Sequence, residues 1–423
     1  MIILVLLLGM HLYLTARLGV IQRKIPSGIY YSFFGGRAKE KGKGVSAYSA
    51  LAMALAATIG TGNIVGVSAA IAVGGPGAVF WCWMTGVLGI ATCYGECFLS
   101  VKYKRRNADG SSCGGPMYVL EYGLGKKSLA VLFALCTVLA SFGIGSSVQS
   151  HSVYMAVSEL ASVPPHAVAA VVCVLAGVII IGGNRLIAGV CSWLVPVMSI
   201  LYLGSCLLLL FRNSAVLPEA LGLILTDAFS GRAAAGGAAG GGLMLAVRTG
   251  VARGLFTNEA GLGSIPMAAA ASGEESPARQ GLISMTGPFW DTAVMCAVTG
   301  IAIVSTMLSV PDICRSADAG RLCFAAFGQI PGGTVMLAAA LALFSFATII
   351  GWNVYGASAV RYLWGERMIP VYQTVYLLFA YLGVVWRMEL VWGLADLWNC
   401  LMALPNLYAL WKLRGAIERP QCK

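Results

Sequence analysis

The stretch Ala57-Thr58-Ile59-Gly60-Thr61-Gly62-Asn63-Ile64-Val65-Gly66 decides the fold. It sits inside an apolar run, roughly 46–72, and a helix needs about 20 mostly apolar residues to cross a bilayer. Two glycines flank a threonine here, and an asparagine follows. Glycine disfavours helix by about 1 kcal/mol relative to alanine. A helix weakened at mid-membrane releases backbone N–H and C=O groups, and lipid offers them no partner. An ion or a polar substrate would serve. The same letters also read as Gly62-x-x-x-Gly66, a small-xxx-small helix-packing motif. They are not a dinucleotide fingerprint, because the third glycine comes one residue late and no strand precedes it.

Around this stretch lies a chain of 423 residues, 58% hydrophobic and 11% charged, with mean hydropathy +0.82. A soluble domain carries roughly 25% charged residues. So few charges cannot cover a globular surface of this size, which excludes a cytosolic enzyme, a nucleic-acid-binding protein and a disordered chain. Eleven apolar runs predict membrane helices at 2–19, 46–72, 78–101, 128–157, 165–182, 187–211, 241–270, 280–309, 332–360, 369–386 and 390–412. The first run has no basic region before it and no small-residue cleavage site after it, so it reads as a membrane helix rather than a signal peptide.

The formal net charge is +11, and its placement gives it meaning. With spans alternating as drawn, 21 Lys and Arg fall on one side, 5 on the other, and Arg248 and Arg253 within a span. Segments 17–43 and 102–127 carry most of the excess. This asymmetry predicts an N-terminus outside and a cytoplasmic C-terminus in the inner membrane. The basic charge is topogenic, with no nucleic-acid partner. The 13 Cys lie mostly inside apolar runs without C-x-x-C spacing, and read as small buried hydrophobes.

A second span breaks the membrane rules, in Arg248-Thr249-Gly250-Val251-Ala252-Arg253-Gly254-Leu255-Phe256-Thr257-Asn258-Glu259-Ala260-Gly261-Leu262-Gly263-Ser264. Each central charge costs about 2.5–3.5 kcal/mol on the insertion scale. Arg253 and Glu259 could offset each other, and Asn258 could cap a half-helix, but neither explains the glycines. With the first run set aside as peripheral, the other ten split into two sets of five, each opening on an interrupted span. Broken helices in corresponding positions point to a transporter site between inverted repeats. The organisation expected is a peripheral helix and basic linker at 1–45, a five-helix repeat at 46–212, an extracellular linker at 213–240, and a second repeat with its tail at 241–423. The small-residue run 233–242 reads as flexible linker.

The stretches ATIGTGNIVGVSAAIAVGGPGAVFW (57–81), SSCGGPMYVLEYGLG (111–125), GVARGLFTNEAGLGSIPMAAAAS (250–272), RQGLISMTGPFWDT (279–292) and FATIIGWNVYG (346–356) resemble the sodium:alanine/glycine symporter family. The resemblance implies an all-α, leucine-transporter-type fold, with ten core helices in two inverted repeats and one helix in front. It also implies sodium-coupled uptake of alanine or glycine by a functional monomer, with Na+ as coupling ion and no other cofactor. By resemblance, the unwound Gly60-Thr61-Gly62-Asn63 receives the substrate carboxylate, since N–H groups opening a half-helix favour anions. Backbone carbonyls near Phe256-Thr257-Asn258 would take the amine, Phe256 would close over the side chain, and Gln149 would contact substrate. Gln149 reads equally as a helix-to-helix hydrogen bond. Sodium would lie between the carbonyls of Ala56 and Ile59 and the hydroxyl of Thr348. The family usually has two adjacent hydroxyl residues there, whereas this chain has Ala347-Thr348. Ser345 is about 200° around the helix from Ala347 and does not replace the missing hydroxyl directly.

Other intramembrane charges read more plainly. Asp291 and Asp396 suit an ion path or a helix-end hydrogen bond, and Glu96 reads as interfacial near Lys102. A serine hydrolase built on Ser146 and His151 is disfavoured, because the two lie about 140° apart on one helix. Paired broken helices argue against a channel. The closer alternative is a proton-coupled or uncoupled amino-acid transporter, given Ala347.

Overall fold

The computed structural model describes residues 2–34, 44–106, 110, 112–230, 242–312, 321–386 and 388–420. It is almost wholly helical, and its surface is inverted relative to a soluble protein. Helix α8 (Pro165–Ile181) exposes Val171, Val174, Leu175, Val178 and Ile181, and α9 (Gly183–Arg212) exposes Trp193, Ile200, Leu207, Leu208 and Phe211. Thr61, Asn63, Gln149 and Asp291 are buried instead. Apolar outside and polar inside is the pattern a bilayer demands.

The chain opens with α1 (Ile2–Leu18) and α2 (Ile25–Phe34), bent by 67°. α2 was expected to be linker. Its Ile25, Gly28 and Ser32 are buried while Tyr30, Phe33 and Phe34 are exposed, so it is an apolar helix with an outward aromatic face, and at 10 residues it is too short for the run-length rule to find. α3 (Ala47–Thr58), capped by the Ser46 hydroxyl accepting from Ser49 N, leads through the break to α4 (Val67–Gly74) and α5 (Gly77–Lys102). α6 (Lys127–Ala140) continues through a wide π-type turn, Ser141–Ser147, into α7 (Val148–Ser158).

After α9, the expected extracellular linker contains α10 (Leu217–Ser230). Asp227 of α10 accepts from Gly77 N at 2.7 Å and the Ala228 carbonyl accepts from the Trp81 indole, which fastens α10 to α5. Of the linker run 233–242, residues 233–241 lie outside the described residues. The second half comprises α11 (Gly242–Asn258), α12 (Ile265–Ala271), α13 (Pro277–Ser284), α14 (Ala297–Ser309), α15 (Leu322–Phe327), α16 (Gly333–Trp364), α17 (Ile369–Val385) and α18 (Met388–Lys412).

Among the described residues, six helices are long and apolar enough to cross a membrane, or eight if each of two bent pairs counts as one span. That is fewer than the eleven expected. α8 has only 17 residues, as has α11, which also carries Arg248 and Arg253. α18 contains Glu389, Asp396, Asn399 and Asn406. Polar content set by a site lowers the very signal by which a span is counted.

The basic segments gather on one face. The Tyr94 hydroxyl donates to the Glu418 carbonyl at 2.9 Å, Arg419 Nε to the Arg17 carbonyl at 2.9 Å, and Lys24 to the Pro420 carbonyl. Lys102 reaches the Ala416 carbonyl at 3.3 Å. The C-terminal residues therefore lie across the ends of α1 and α5. Arg106 pairs with Glu275 at 2.6 Å on the same face, where burial holds the Lys104 ammonium below its usual pKa.

Candidate functional site between the two broken helices

The first break begins where α3 stops. Ile59 is extended, at φ −75° and ψ 91°, and Gly62–Gly66 form a π-type turn before α4, bending the pair by 50°. The freed backbone groups find side chains. Gly60 N donates to Asn63 Oδ1 at 3.0 Å, so the asparagine caps its own break. The Thr61 hydroxyl donates to Gln149 Oε1 at 3.0 Å. A Cβ at Gly60 would lie 2.7 Å from Thr348 Oγ1 and 3.3 Å from Gln149 Oε1, which places this glycine between the two.

Thr348, on α16, faces the other side of the same break. Its Oγ1 lies 3.0 Å from the Ala56 carbonyl, 3.5 Å from that of Ile59 and 3.1 Å from that of Phe344. The Phe344 carbonyl is the i−4 back-bond of a helical threonine and belongs to the ladder of α16, so the oxygens that meet across the first break are Thr348 Oγ1 and the carbonyls of Ala56 and Ile59. Two carbonyl oxygens beside one hydroxyl in a buried place are hard oxygen donors of the kind through which a cation is bound. Ala347 is wholly buried and supplies no further oxygen from its side chain, and Ser345 Oγ is buried without a hydrogen-bond partner.

The second break follows Asn258 rather than including it. Phe256, Thr257 and Asn258 form the last turn of α11, and the irregular backbone runs over 259–264. Glu259, Gly261 and Gly263 all have positive φ, at 51°, 86° and 89°. The helix persists two to three residues further than expected, and just past its end Asn258 Oδ1 accepts from Ala260 N at 2.9 Å. Carbonyls of a last helical turn still lack intrahelical partners. Gly261 is held from outside, where its N–H lies 3.2–3.3 Å from the Glu96 carboxylate and its carbonyl accepts from Asn406 Nδ2 at 2.9 Å.

The first break touches the last turn of α11. A Cβ on Gly62 would fall inside the van der Waals envelope of Thr257 Cγ2 and 3.5 Å from Phe256 Cδ1. Only glycine permits this approach. Phe256 is half-buried, with the Arg253 guanidinium 6.0 Å from its ring, and a cleft of about 490 Å³ reaches it from the N-terminal end of α1. Ala56, Ile59, Gly60, Thr61, Gly62, Asn63, Gln149, Thr348, Phe256 and Thr257 therefore form one neighbourhood. Asn258 is adjacent, but its side chain is committed to Ala260 and Thr85.

Three buried carboxylates surround this neighbourhood, each met by neutral donors. Asp291 accepts from Asn63 Nδ2 at 2.7 Å and from Thr292 Oγ1 at 2.6 Å, inside the π-type turn Phe289–Cys296. Its link to Asn63 was not anticipated, although an aspartate in an apolar run was the available signal. Glu259 accepts from Ser264 Oγ and from Trp352 Nε1. Glu96, expected at the interface near Lys102, is 2% exposed and bound to Gly261 and Asn406. It lies six residues, nearly two turns, before Lys102, which is deep enough to leave the interface. The side chain of Asp396 lies outside the described residues.

The sodium:alanine symporter family matches the chain over residues 1–420. The chain belongs to that family. An uncharacterized transporter of Haemophilus influenzae is 45% identical, over 98% of this chain and 91% of its own. The sodium/alanine symporter AgcS of Methanococcus maripaludis is 39% identical, over 98% and 92%. The probable sodium/glutamine symporter GlnT of Bacillus subtilis is 36% identical, over 98% and 86%. Among solved structures, a Na+-coupled sialic acid symporter in a substrate-bound outward-open state aligns at TM-score 0.62 and 14% identity, over 96% of this chain and 86% of its own. That likeness is one of fold. Family membership makes the chain a multi-pass secondary transporter, not an enzyme, within a class that couples amino-acid transport to Na+.

Proposed function

We propose that the protein carries small neutral amino acids, alanine or glycine, into the cell with Na+ by alternating access. The observation that carries this reading is the meeting of Thr348 Oγ1 with the carbonyls of Ala56 and Ile59 across the first break. Na+ lies among them and draws the first break against α16. The substrate carboxylate takes the N–H groups of 60–63, in the positive field of the half-helix that follows. The amine takes backbone carbonyls at the end of α11, near Phe256, Thr257 and Asn258. Gln149 fixes the Thr61 hydroxyl at the edge of the carboxylate site. Phe256 closes over a side chain that the Gly62–Thr257 contact keeps small. The Lys and Arg bias puts the basic face in the cytoplasm, so the N-terminus is outside and the C-terminus inside. The working unit is the monomer, with the inverted repeats at 46–212 and 241–423 forming the site between them.

The energetics suffice. One Na+ entering gains about 2.3 kcal/mol per 100 mV, and a tenfold gradient adds about 1.4 kcal/mol. Together they sustain roughly several-hundredfold accumulation of substrate. The test is uptake of radiolabelled alanine into proteoliposomes under an inward Na+ gradient, with unlabelled glycine and glutamine as competitors. Stimulation by Na+ with competition by glycine supports the reading. Competition by glutamine alone moves the substrate class, and uptake driven only by protons moves the ion site to Asp291 and Glu259.

A further inference from the structure

Glu259 is an odd residue for its place. A helix ending in a left-handed residue usually ends on glycine, and a side chain there costs of order 1 kcal/mol or more. Here the left-handed residue at φ 51° is a glutamate, 2% exposed. Its carboxylate joins two things. Oε2 accepts from Ser264 Oγ, on the far side of the second break, and Oε1 accepts from Trp352 Nε1 at 3.0 Å, on α16. The indole cannot swing away. Trp352 is wholly buried, edge-on to Tyr355 at 5.4 Å, and its Cβ lies against Gly145 so tightly that a Cβ there would overlap it.

Trp352 is four residues after Thr348. In an α-helix this is about 6 Å along the axis and about 40° around it, on one face. One stretch of α16, 344–352, therefore grips both breaks. Thr348 holds the first through the carbonyls of Ala56 and Ile59, and Trp352 holds the second through Glu259. Between them, a Cβ at Gly351 would lie 2.8 Å from Ala57 N, so α16 also abuts the last turn of α3.

From this geometry we infer that Trp352 and Glu259 are positioning residues that pass Na+ occupancy on to substrate affinity. The inference rests on the proposed ion site at Thr348. A cation there fixes the first break to α16. The second break is already fixed to α16 by the indole–carboxylate bond. The approach of Gly62 to Thr257, in the last turn before the second break, is then held at one distance. Without the indole bond, Na+ still orders the first break, but the second no longer follows. Neither residue touches the ion, and the coupling lives in the shared helix.

The test measures binding of radiolabelled alanine to purified full-length protein, with Na+ and with choline replacing it. Coupled sites change each other's affinity by about 5–150-fold, and the wild type is expected in that range. Trp352→Phe keeps an aromatic ring and removes the donor, and Glu259→Ala removes the acceptor. Each is expected to reduce the Na+ effect on alanine affinity to about twofold or less, well below ordinary coupling. In both variants Na+ alone still raises the unfolding temperature, because its ligands remain. Glu259→Gln accepts from Trp352 and donates to Ser264, and is expected to retain most of the coupling. A merely structural role lowers the unfolding temperature and leaves the affinity ratio intact. Full coupling in folded Trp352→Phe and Glu259→Ala overturns the inference alone. Absence of Na+-dependent alanine binding in the wild type overturns the proposed function as well.

Discussion

Replacing Thr348 by valine isolates one oxygen. Valine keeps the branched shape and turns a methyl group toward the carbonyls of Ala56, Ile59 and Phe344, which the hydroxyl now meets at 3.0, 3.5 and 3.1 Å. Leaving a buried polar group without its partner costs about 1–3 kcal/mol. With Na+ bound, the loss is a ligand. With Na+ absent, it is a hydrogen bond to Ala56 or Phe344. The ion-bound state loses more, because a cation draws on every oxygen around it. Transferred to ion affinity, the figure predicts a rise of about 5- to 150-fold in the Na+ concentration giving half-maximal alanine uptake. Thr348→Ser restores the oxygen and is expected to stay within about threefold of wild type, since only a methyl is lost. The assay is initial-rate uptake in proteoliposomes over a Na+ series at saturating alanine, with folded protein quantified for each variant. An unchanged half-saturating Na+ concentration in folded Thr348→Val would refute the reasoning, because an ion held there must sense its ligand.

Three further outcomes follow from named contacts. Gly62→Ala drives a methyl into Thr257 Cγ2, and overpacking of about 1–3 kcal/mol should abolish most alanine uptake. Adding Thr257→Ser, which removes that Cγ2, should recover part of it, and no recovery in the double variant would count against the contact. Ala347→Ser places a second hydroxyl beside Thr348 and should lower half-saturating Na+ by about 2- to 10-fold, the worth of one added polar contact; no change would mean that position 347 does not face the ion. Asn406→Ala takes one of the donors from Glu96 and the side-chain donor from the Gly261 carbonyl, so the unfolding temperature in detergent should fall by an amount matching about 1–3 kcal/mol. An unaltered melting curve would show that the bridge contributes nothing.

The sequence made the first break legible because it disobeys the chemistry of lipid. Gly60, Gly62 and Asn63 have no reason to stand together at mid-membrane unless the backbone opens there, and it opens at Ile59 and Gly60. The second break was legible as a region and misplaced by a few residues. Its glycines, Gly261 and Gly263, mark the turn, while the polar letters at Thr257 and Asn258 drew the expectation upstream into the last helical turn. The union of Thr348 with Ala56 and Ile59 came from resemblance, and the structure sets these atoms within 3.5 Å. What stayed hidden was tertiary. Trp352 on Glu259, Asp291 on Asn63 and Asn406 on Gly261 join residues 93 to 228 positions apart, and nothing in local pattern pairs them. α2 and α10 were hidden for another reason. Each is a short helix, of 10 and 14 residues, so neither is long enough to resemble a span.

Symport means that an ion held between the first break and α16 moves together with the substrate. ²²Na+ and radiolabelled alanine are followed simultaneously in the same proteoliposomes, first with neither gradient and then with each in turn. External alanine is expected to accelerate ²²Na+ entry, external Na+ to accelerate alanine entry, and Thr348→Val to weaken both together. Alanine accumulating against its gradient while ²²Na+ stays outside would contradict symport.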